Sequence, residues 1–275
     1  ITTNGRRHLG AVIGSEDFKI QYVEEKVSKW VEELQKLTEI AKSEPQAAYS
    51  AYTFGFKSKF NYLVRTVSGI SDMLKPLDNA VDTFIMVVFQ GRDFSCLERK
   101  MFSLPAKLGG LGIDIPSKMC QIQFENSKLM TNQLVHQLKT QSDNCIVDDR
   151  ALQTARRKIV SDKIARNKAL VESIKSELPP DKLKLFEISN EEGASSWLTA
   201  LPISRQGFVL SKQVFCDALY IRYGFQLKCL PSSCVCGSQF SVEHFANYAT
   251  GEKIFFQLQK FGIPDHYWSI RTCIN

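Results

Sequence analysis

The sequence has no long hydrophobic stretch. Its longest uninterrupted apolar run covers residues 84–89, far short of the ~18 residues that a membrane-spanning helix needs. The basic pair Arg6 and Arg7 stands near the start, but neither an apolar segment nor a small-residue cleavage site follows it, which is unlike a secretory signal. We therefore expect no membrane partner.

Cysteine is too sparse for a disulfide-rich protein, since the chain has 8 among 275 residues. Disulfide scaffolds concentrate their cysteines in short secreted chains, so we expect an intracellular, reducing compartment, either nuclear or cytoplasmic. The hydrophobic share of 44% and the charged share of 23% exclude disordered and collagen-like classes. The length allows one large domain or two ordinary ones.

Acidic residues are scarce in one segment, and basic charge is concentrated there. Residues 150–184 hold ten bases and four acids, so this segment alone accounts for the formal net charge of +6. Such a basic series can bind phosphate backbones by releasing their counterions. It is equally compatible with a solvated helix face, and both interpretations stay open.

Helical periodicity dominates the rest of the sequence. Apolar residues at spacings of three and four predict an amphipathic helix over 22–42. Further helices are predicted over 46–67, 70–89 and 117–139, and around 208–223. A basic helix is predicted from Asp148 and Asp149 to Pro179, with these apolar residues on its inner side: Val160, Ile164, Val171, Ile174 and Leu178.

Strand candidates are confined to residues 7–13 and a cysteine-bearing turn at 229–236. Three glycines within four positions, at 109, 110 and 112, predict a tight irregular loop over 104–113. The expected fold class is mainly α, a helical bundle with a short N-terminal β-hairpin and a small C-terminal turn like a zinc knuckle.

Potential zinc ligands cluster near the C-terminus. Cys234, Cys236 and His244 lie within eleven positions, and thiolate and imidazole are the ligands of structural zinc sites, which need four. Tyr248 follows at the expected spacing but is a poor ligand. The fourth ligand would come from Cys229, Cys216, His266, Cys273 or water. The sequence therefore predicts an incomplete zinc site, or a former knuckle that apolar packing holds together.

Two other patterns have a structural and a functional interpretation. Aromatic and basic residues are interleaved over 49–65, where they could stack on bases, but aromatics at helical spacing favour a core. Asp148 and Asp149 superficially resemble the paired aspartates of polymerases. The polar residues before them and the helical pattern after them favour a helix start instead. His8, His136 and His266 are expected to be ordinary polar side chains.

Several of these segments, taken in order, resemble the reverse transcriptases of animal non-long-terminal-repeat retrotransposons, downstream of the polymerase active site. RRHLGAVIG at 6–14 looks like the Leu-Gly hairpin that grips the primer terminus, and VSKWV at 27–31 with the helices after it looks like the thumb. LP at 104–105 with GGLGI at 109–113 is similar to the signature that closes the thumb region. Matches to a stretch that follows in one subgroup lie at 194–198, 217–219, 222–224 and 230–237.

The resemblance implies four parts. These are the end of the palm with its primer-grip hairpin at 1–20, a helical thumb at 21–116, a helical connector at 117–189 that includes the basic helix, and a C-terminal region with a degenerate zinc knuckle at 190–275. The parent protein would be an RNA-directed DNA polymerase that holds two magnesium ions in its palm. We expect that palm upstream of Ile1, so that residues 1–275 bind nucleic acid without catalysing polymerisation.

The expected partner is an RNA/DNA primer-template duplex, and no catalytic residue is expected. The residues expected to contact the duplex are Arg6, Arg7, Leu9, Gly10, Lys57, Lys59, Arg65, Arg156, Arg157, Lys158, Lys163, Arg166 and Lys168. The alternative is a host-retained helical relic with a structural or protein-interaction role and no role in nucleic-acid binding.

Overall fold

The computed structural model describes residues 4–141 and 148–227. Helices predominate, and the described chain begins with an antiparallel hairpin of β1 (Gly5–His8) and β2 (Ala11–Gly14). This confirms the predicted mainly α fold with a short N-terminal hairpin. The predicted cysteine turn at 229–236 lies outside the described residues.

The first helix, α1, runs from Glu16 to Ala41 and confirms the predicted amphipathic helix with an earlier start. Ser15 caps it, since the Phe18 backbone N–H donates to the Ser15 Oγ at 3.3 Å, and the acids Glu16 and Asp17 occupy the first turn. Both features stabilise a helix N-terminus. The buried apolar residues of α1 are Tyr22, Val23, Val27, Trp30, Leu34 and Ala41.

The prediction of one helix over 46–67 is wrong. The segment forms α2 (Pro45–Phe54), a 3-10 turn (Phe56–Ser58) and α3 (Asn61–Thr66). Gly55 interrupts the helix, as glycine tends to do. The break accompanies the burial of two rings, because Phe56 stacks on Tyr52 with ring centroids 5.7 Å apart and Phe60 meets Trp30 edge-on at 6.1 Å.

The core interpretation of this aromatic segment is confirmed for four of its rings. Tyr49, Tyr52, Phe56 and Phe60 are buried, whereas Phe54 and Tyr62 are exposed. Within the segment, only Phe54 and Tyr62 are therefore exposed enough to stack on bases.

The remaining helices are α4 (Lys75–Val88), α5 (Cys96–Ser103), α6 (Pro116–Thr140), α7 (Asp149–Glu177), α8 (Pro180–Ser189), α9 (Ser196–Thr199) and α10 (Lys212–Arg222). The α4, α6, α7 and α10 helices were predicted, with shifted ends. The short α5 was not, although Ser95 and Glu98 form a capping box, a spacing that is legible in the sequence.

The predicted inner side of α7 is wrong at two positions. Val160 and Ile164 are 56% and 62% exposed, while Ile159 and Leu170 are half-buried and Ile174 is buried. The predicted side is confirmed towards the C-terminal end of the helix, where Val171 and Leu178 are also half-buried, whereas all residues from 160 to 166 are exposed. Periodicity alone does not show which turns of a helix are covered by other elements.

The chain divides into two compact units, each assembled from three separate segments. Unit 1 comprises Ile1–Leu37, Tyr52–Phe84 and Asp114–Glu172, and unit 2 comprises Thr38–Ala51, Ile85–Ile113 and Ser173–Asn275. One boundary, after Ile113, falls at the end of the predicted glycine loop. The four-part division inferred from the resemblance stays a prediction.

The predicted tight, irregular glycine loop is confirmed, with a 3-10 turn at Ala106–Leu108, and it lies in unit 2 with Gly109 and Gly110 buried. Side chains from several elements bind its carbonyl groups: Arg99 Nη1 donates to the Ile113 oxygen at 2.8 Å and Arg222 Nη2 donates to the Ala106 oxygen at 3.0 Å. The Tyr49 hydroxyl donates to a third loop carbonyl at 2.7 Å. Burial in unit 2 raises the pKa of this hydroxyl above its ordinary value, so it stays a proton donor at any physiological pH.

Candidate nucleic-acid interface

All of the residues predicted to contact nucleic acid belong to unit 1. They lie on three parts of it: the N-terminal hairpin, the segment from the 3-10 turn to α3, and α7. The structure sorts them by their partners, because some of the cations form ion pairs with acids of α1 and others do not.

The two strands of the hairpin place the neighbouring basic residues on opposite faces. Arg6 pairs with Ile13 and His8 with Ala11, and successive residues of a strand alternate between faces. Arg6, His8 and Ile13 therefore share the outer face, where all three are exposed. Sequence reasoning missed His8 as a candidate, although the alternation of the predicted hairpin places it on the same face as Arg6.

Arg7 lies on the inner face of the hairpin and braces it against α1. Its guanidinium forms an ion pair with the Glu25 carboxylate and lies 5.0 Å from the centroid of the Tyr22 ring. A cation that is paired with a carboxylate and an aromatic ring attracts a phosphate less strongly than an unpaired cation does. Arg7 therefore positions the hairpin against α1, and Arg6 and His8 are the exposed polar side chains of its outer face.

The turn of the hairpin presents Leu9 in an unfavourable conformation. The φ angles of Leu9 and Gly10 are 47° and 81°, and positive φ at both central residues is the requirement of a type I′ turn, which favours Asn-Gly. A residue other than glycine is destabilised by about 1–2 kcal/mol in this left-handed region. The Leu9 side chain is 82% exposed, so its burial within the described residues offsets little of this destabilisation.

Contacts with two tyrosines hold the turn in place. The Tyr22 hydroxyl donates to the Gly10 carbonyl oxygen at 2.7 Å. A Cβ added to Gly10 would lie 3.3 Å from the Tyr62 ring, so the turn also packs closely against α3. The structure thus brings the hairpin tip and Tyr62 together, while the basic residues of α7 lie on another helix.

The basic residues from the 3-10 turn to α3 have internal partners. Lys59 Nζ lies 2.6 Å from the Glu33 carboxylate and 5.7 Å from the Phe56 ring centroid, and Arg65 Nε donates to Gln123 Oε1 at 3.4 Å. Lys57 is half-buried and also has an interaction within the chain. These side chains are therefore engaged by other residues of unit 1.

The basic residues of α7 are different. Those from 156 to 168 are exposed, and within residues 4–141 and 148–227 no carboxylate forms an ion pair with any of them. Unpaired, exposed cations are the ones whose charge attracts phosphate and releases counterions on binding. This series consists of Arg156, Arg157, Lys158, Lys163, Arg166 and Lys168.

The paired aspartates at 148–149 begin α7, as predicted. The Asp148 Oδ1 accepts hydrogen bonds from the backbone N–H groups of Arg150 at 2.9 Å and Ala151 at 3.3 Å. This is the geometry of a helix N-cap. A carboxylate committed to backbone N–H groups at a helix start is not a metal-binding aspartate of a strand hairpin.

Unit 2 contains a cluster of charged groups around Glu98. Its carboxylate receives hydrogen bonds from Arg92 Nη2 at 2.9 Å and from the Ser95 backbone N–H at 2.8 Å. Burial by itself would raise the pKa of Glu98, but these hydrogen bonds and the charges of Arg92 and Lys182 outweigh it and lower that pKa. The adjoining cavity of about 90 Å³ is too small for a nucleotide, since ligand pockets are usually ~300 Å³ or more.

The predicted zinc ligands Cys229, Cys234, Cys236 and His244 lie outside the described residues. Cys216, another candidate for the fourth ligand, is buried in unit 2, where its thiol donates to the Val88 carbonyl oxygen at 3.5 Å. Among the residues that the structure describes, no group of three or more His, Cys, Asp or Glu side chains is arranged to hold a metal ion.

Comparison of the chain with known protein families, with curated proteins and with solved structures finds no match. In the parts of the chain from 4 to 141 and from 148 to 227, no helix has both the length and the apolar composition that crossing a membrane requires.

Proposed function

We propose that the chain binds a primer-template duplex as the primer-grip, thumb and downstream part of a non-long-terminal-repeat retrotransposon reverse transcriptase. The observation that carries the proposal is the exposed basic series of α7, which has no acidic partners among the described residues. The hairpin with exposed Arg6 and His8 supports it, because both surfaces belong to the same compact unit. Binding would be directed at the phosphate backbone.

The proposal assigns binding and not polymerisation to these 275 residues. Two magnesium ions would belong to a palm with paired aspartates in a strand hairpin, and the one Asp-Asp pair of the sequence caps α7. The parent protein would carry the RNA-directed DNA polymerase activity. Zinc, if bound, would be held by Cys234, Cys236 and His244 with a fourth ligand such as Cys229.

A second candidate function is protein interaction, and a separate observation favours it. Leu134, Val135 and Leu138 on α6 are 39%, 41% and 69% exposed, and the exposed Val160 and Ile164 of α7 belong to the same unit. Clustered exposed apolar residues mark protein-binding surfaces. Here the cations of α7 would attract an acidic partner.

A competition experiment separates the two functions. A labelled RNA–DNA primer-template duplex is bound to the protein and displaced either by the unlabelled duplex or by polyglutamate of matched total charge. We expect the duplex to compete at a concentration at least about tenfold lower, because its phosphates are regularly spaced along a rigid helix, as backbone recognition requires. Equal competition by polyglutamate would favour the protein-interaction function.

A further inference from the structure

Leu9 is the most exposed of the large apolar side chains in the described part of the chain. It occupies the first central position of the hairpin turn, with a φ of 47°. Asparagine or glycine would be more stable there. Backbone strain that is not offset by burial of the side chain is typical of functional sites.

The turn holds Leu9 in a fixed direction. The Gly10 carbonyl is bound by the hydroxyl of Tyr22, which is 3% exposed. At the other end of the hairpin, the Ser15 backbone N–H donates to the Asn4 carbonyl oxygen at 2.8 Å. Leu9 is thus an apolar tip on a braced support and not part of a loose loop.

The charged neighbours of the tip indicate what it contacts. Arg6 and His8 are exposed on the outer face of the same hairpin. A base-paired nucleic acid fits both features, because its phosphates flank the flat apolar faces of its bases.

We propose that Leu9 is an apolar wedge that enters a base step of the bound duplex, while Arg6 and His8 hold the flanking phosphates. This inference rests on the proposed nucleic-acid binding. Apolar wedges unstack the step that they enter, and unstacking costs least where the bases are already mismatched. The wedge therefore gives the protein a preference for duplexes that contain a mismatched step.

The test compares the wild-type protein with Leu9→Asn on two duplexes, one fully paired and one with a single central mismatch. We expect the wild-type protein to favour the mismatched duplex about tenfold. It should also raise the fluorescence of a 2-aminopurine placed at the mismatched step. In Leu9→Asn the preference and the fluorescence increase should disappear, while the melting temperature of the protein rises because the turn is relaxed.

Two control variants separate the wedge from general binding. Ile13→Thr alters an apolar side chain that is 67% exposed on the same hairpin, and it should leave the mismatch preference unchanged. Arg6→Gln should weaken binding to both duplexes by the same factor, because phosphate contacts do not depend on the base step.

The outcomes distinguish the wedge from the function on which it rests. If the wild-type protein binds both duplexes equally, or if Leu9→Asn keeps the mismatch preference, the wedge is overturned and duplex binding stands. If the wild-type protein binds neither duplex, both proposals are overturned.

Discussion

Replacing Arg156, Lys163 and Arg166 together by glutamate should lower the affinity for a primer-template duplex by about a hundredfold or more at moderate salt. Spacings of seven and three residues place these side chains on one face of α7. All three are exposed, so the change leaves the core intact. Each lost phosphate contact should also reduce the slope of log affinity against log salt by about 0.9.

The matched control makes the same change of charge at three exposed residues of unit 2. Lys107, Arg205 and Lys212 are exposed residues of unit 2, and their replacement by glutamate alters the net charge by the same amount. Fluorescence anisotropy of both triple variants, with circular dichroism to verify the helix content, makes the comparison. Equal losses of affinity would mean that only net charge matters and would contradict a binding surface on α7.

Gly110→Ala should destabilise unit 2 by about 3 kcal/mol, near the upper end of the usual cost of overpacking. A Cβ at this position would lie 1.9 Å from the Leu104 carbonyl oxygen. That oxygen cannot shift freely, because the Gly112 backbone N–H donates to it at 2.8 Å and the Leu104 side chain is fully buried. The loop backbone must therefore move, which disrupts the hydrogen bonds that Arg99 and Arg222 donate to its carbonyl oxygens.

Gly112→Ala is the control for this prediction. Gly112 has a φ of 67° with nothing within 4 Å of an added Cβ, so the substitution adds only backbone strain of about 1–2 kcal/mol. Urea unfolding of both variants measures the free energies. A larger loss for Gly112→Ala than for Gly110→Ala would show that crowding at Leu104 is not what requires glycine in this loop.

Sequence periodicity predicted the elements whose stability is local. The α1 and α6 helices, the hairpin and the N-cap at Asp148 follow from spacing and capping residues within one element. It failed over 46–67, because the break at Gly55 accompanies the burial of Phe56 against Tyr52 of the same segment and of Phe60 against Trp30 of α1. The exposure of Val160 and Ile164 on α7 was missed because it depends on where along the helix other elements cover it.

The candidate site shows the same limit. Residue types identified the cations, but their ion pairs join positions far apart in the sequence, as Arg7 with Glu25 and Lys59 with Glu33. No spacing rule distinguishes such a paired cation from an exposed one on α7. By contrast, the shared face of Arg6 and His8 follows from strand alternation alone, so this part of the site was predictable.

The most direct test of the central claim is the affinity of the wild-type protein for a short RNA–DNA primer-template duplex, measured at several salt concentrations. If α7 and the hairpin contact about six phosphates, log affinity should fall linearly with log salt and lose about a thousandfold between roughly 50 and 200 mM. An affinity that stays constant over this range, or no detectable binding at low salt, would contradict the account.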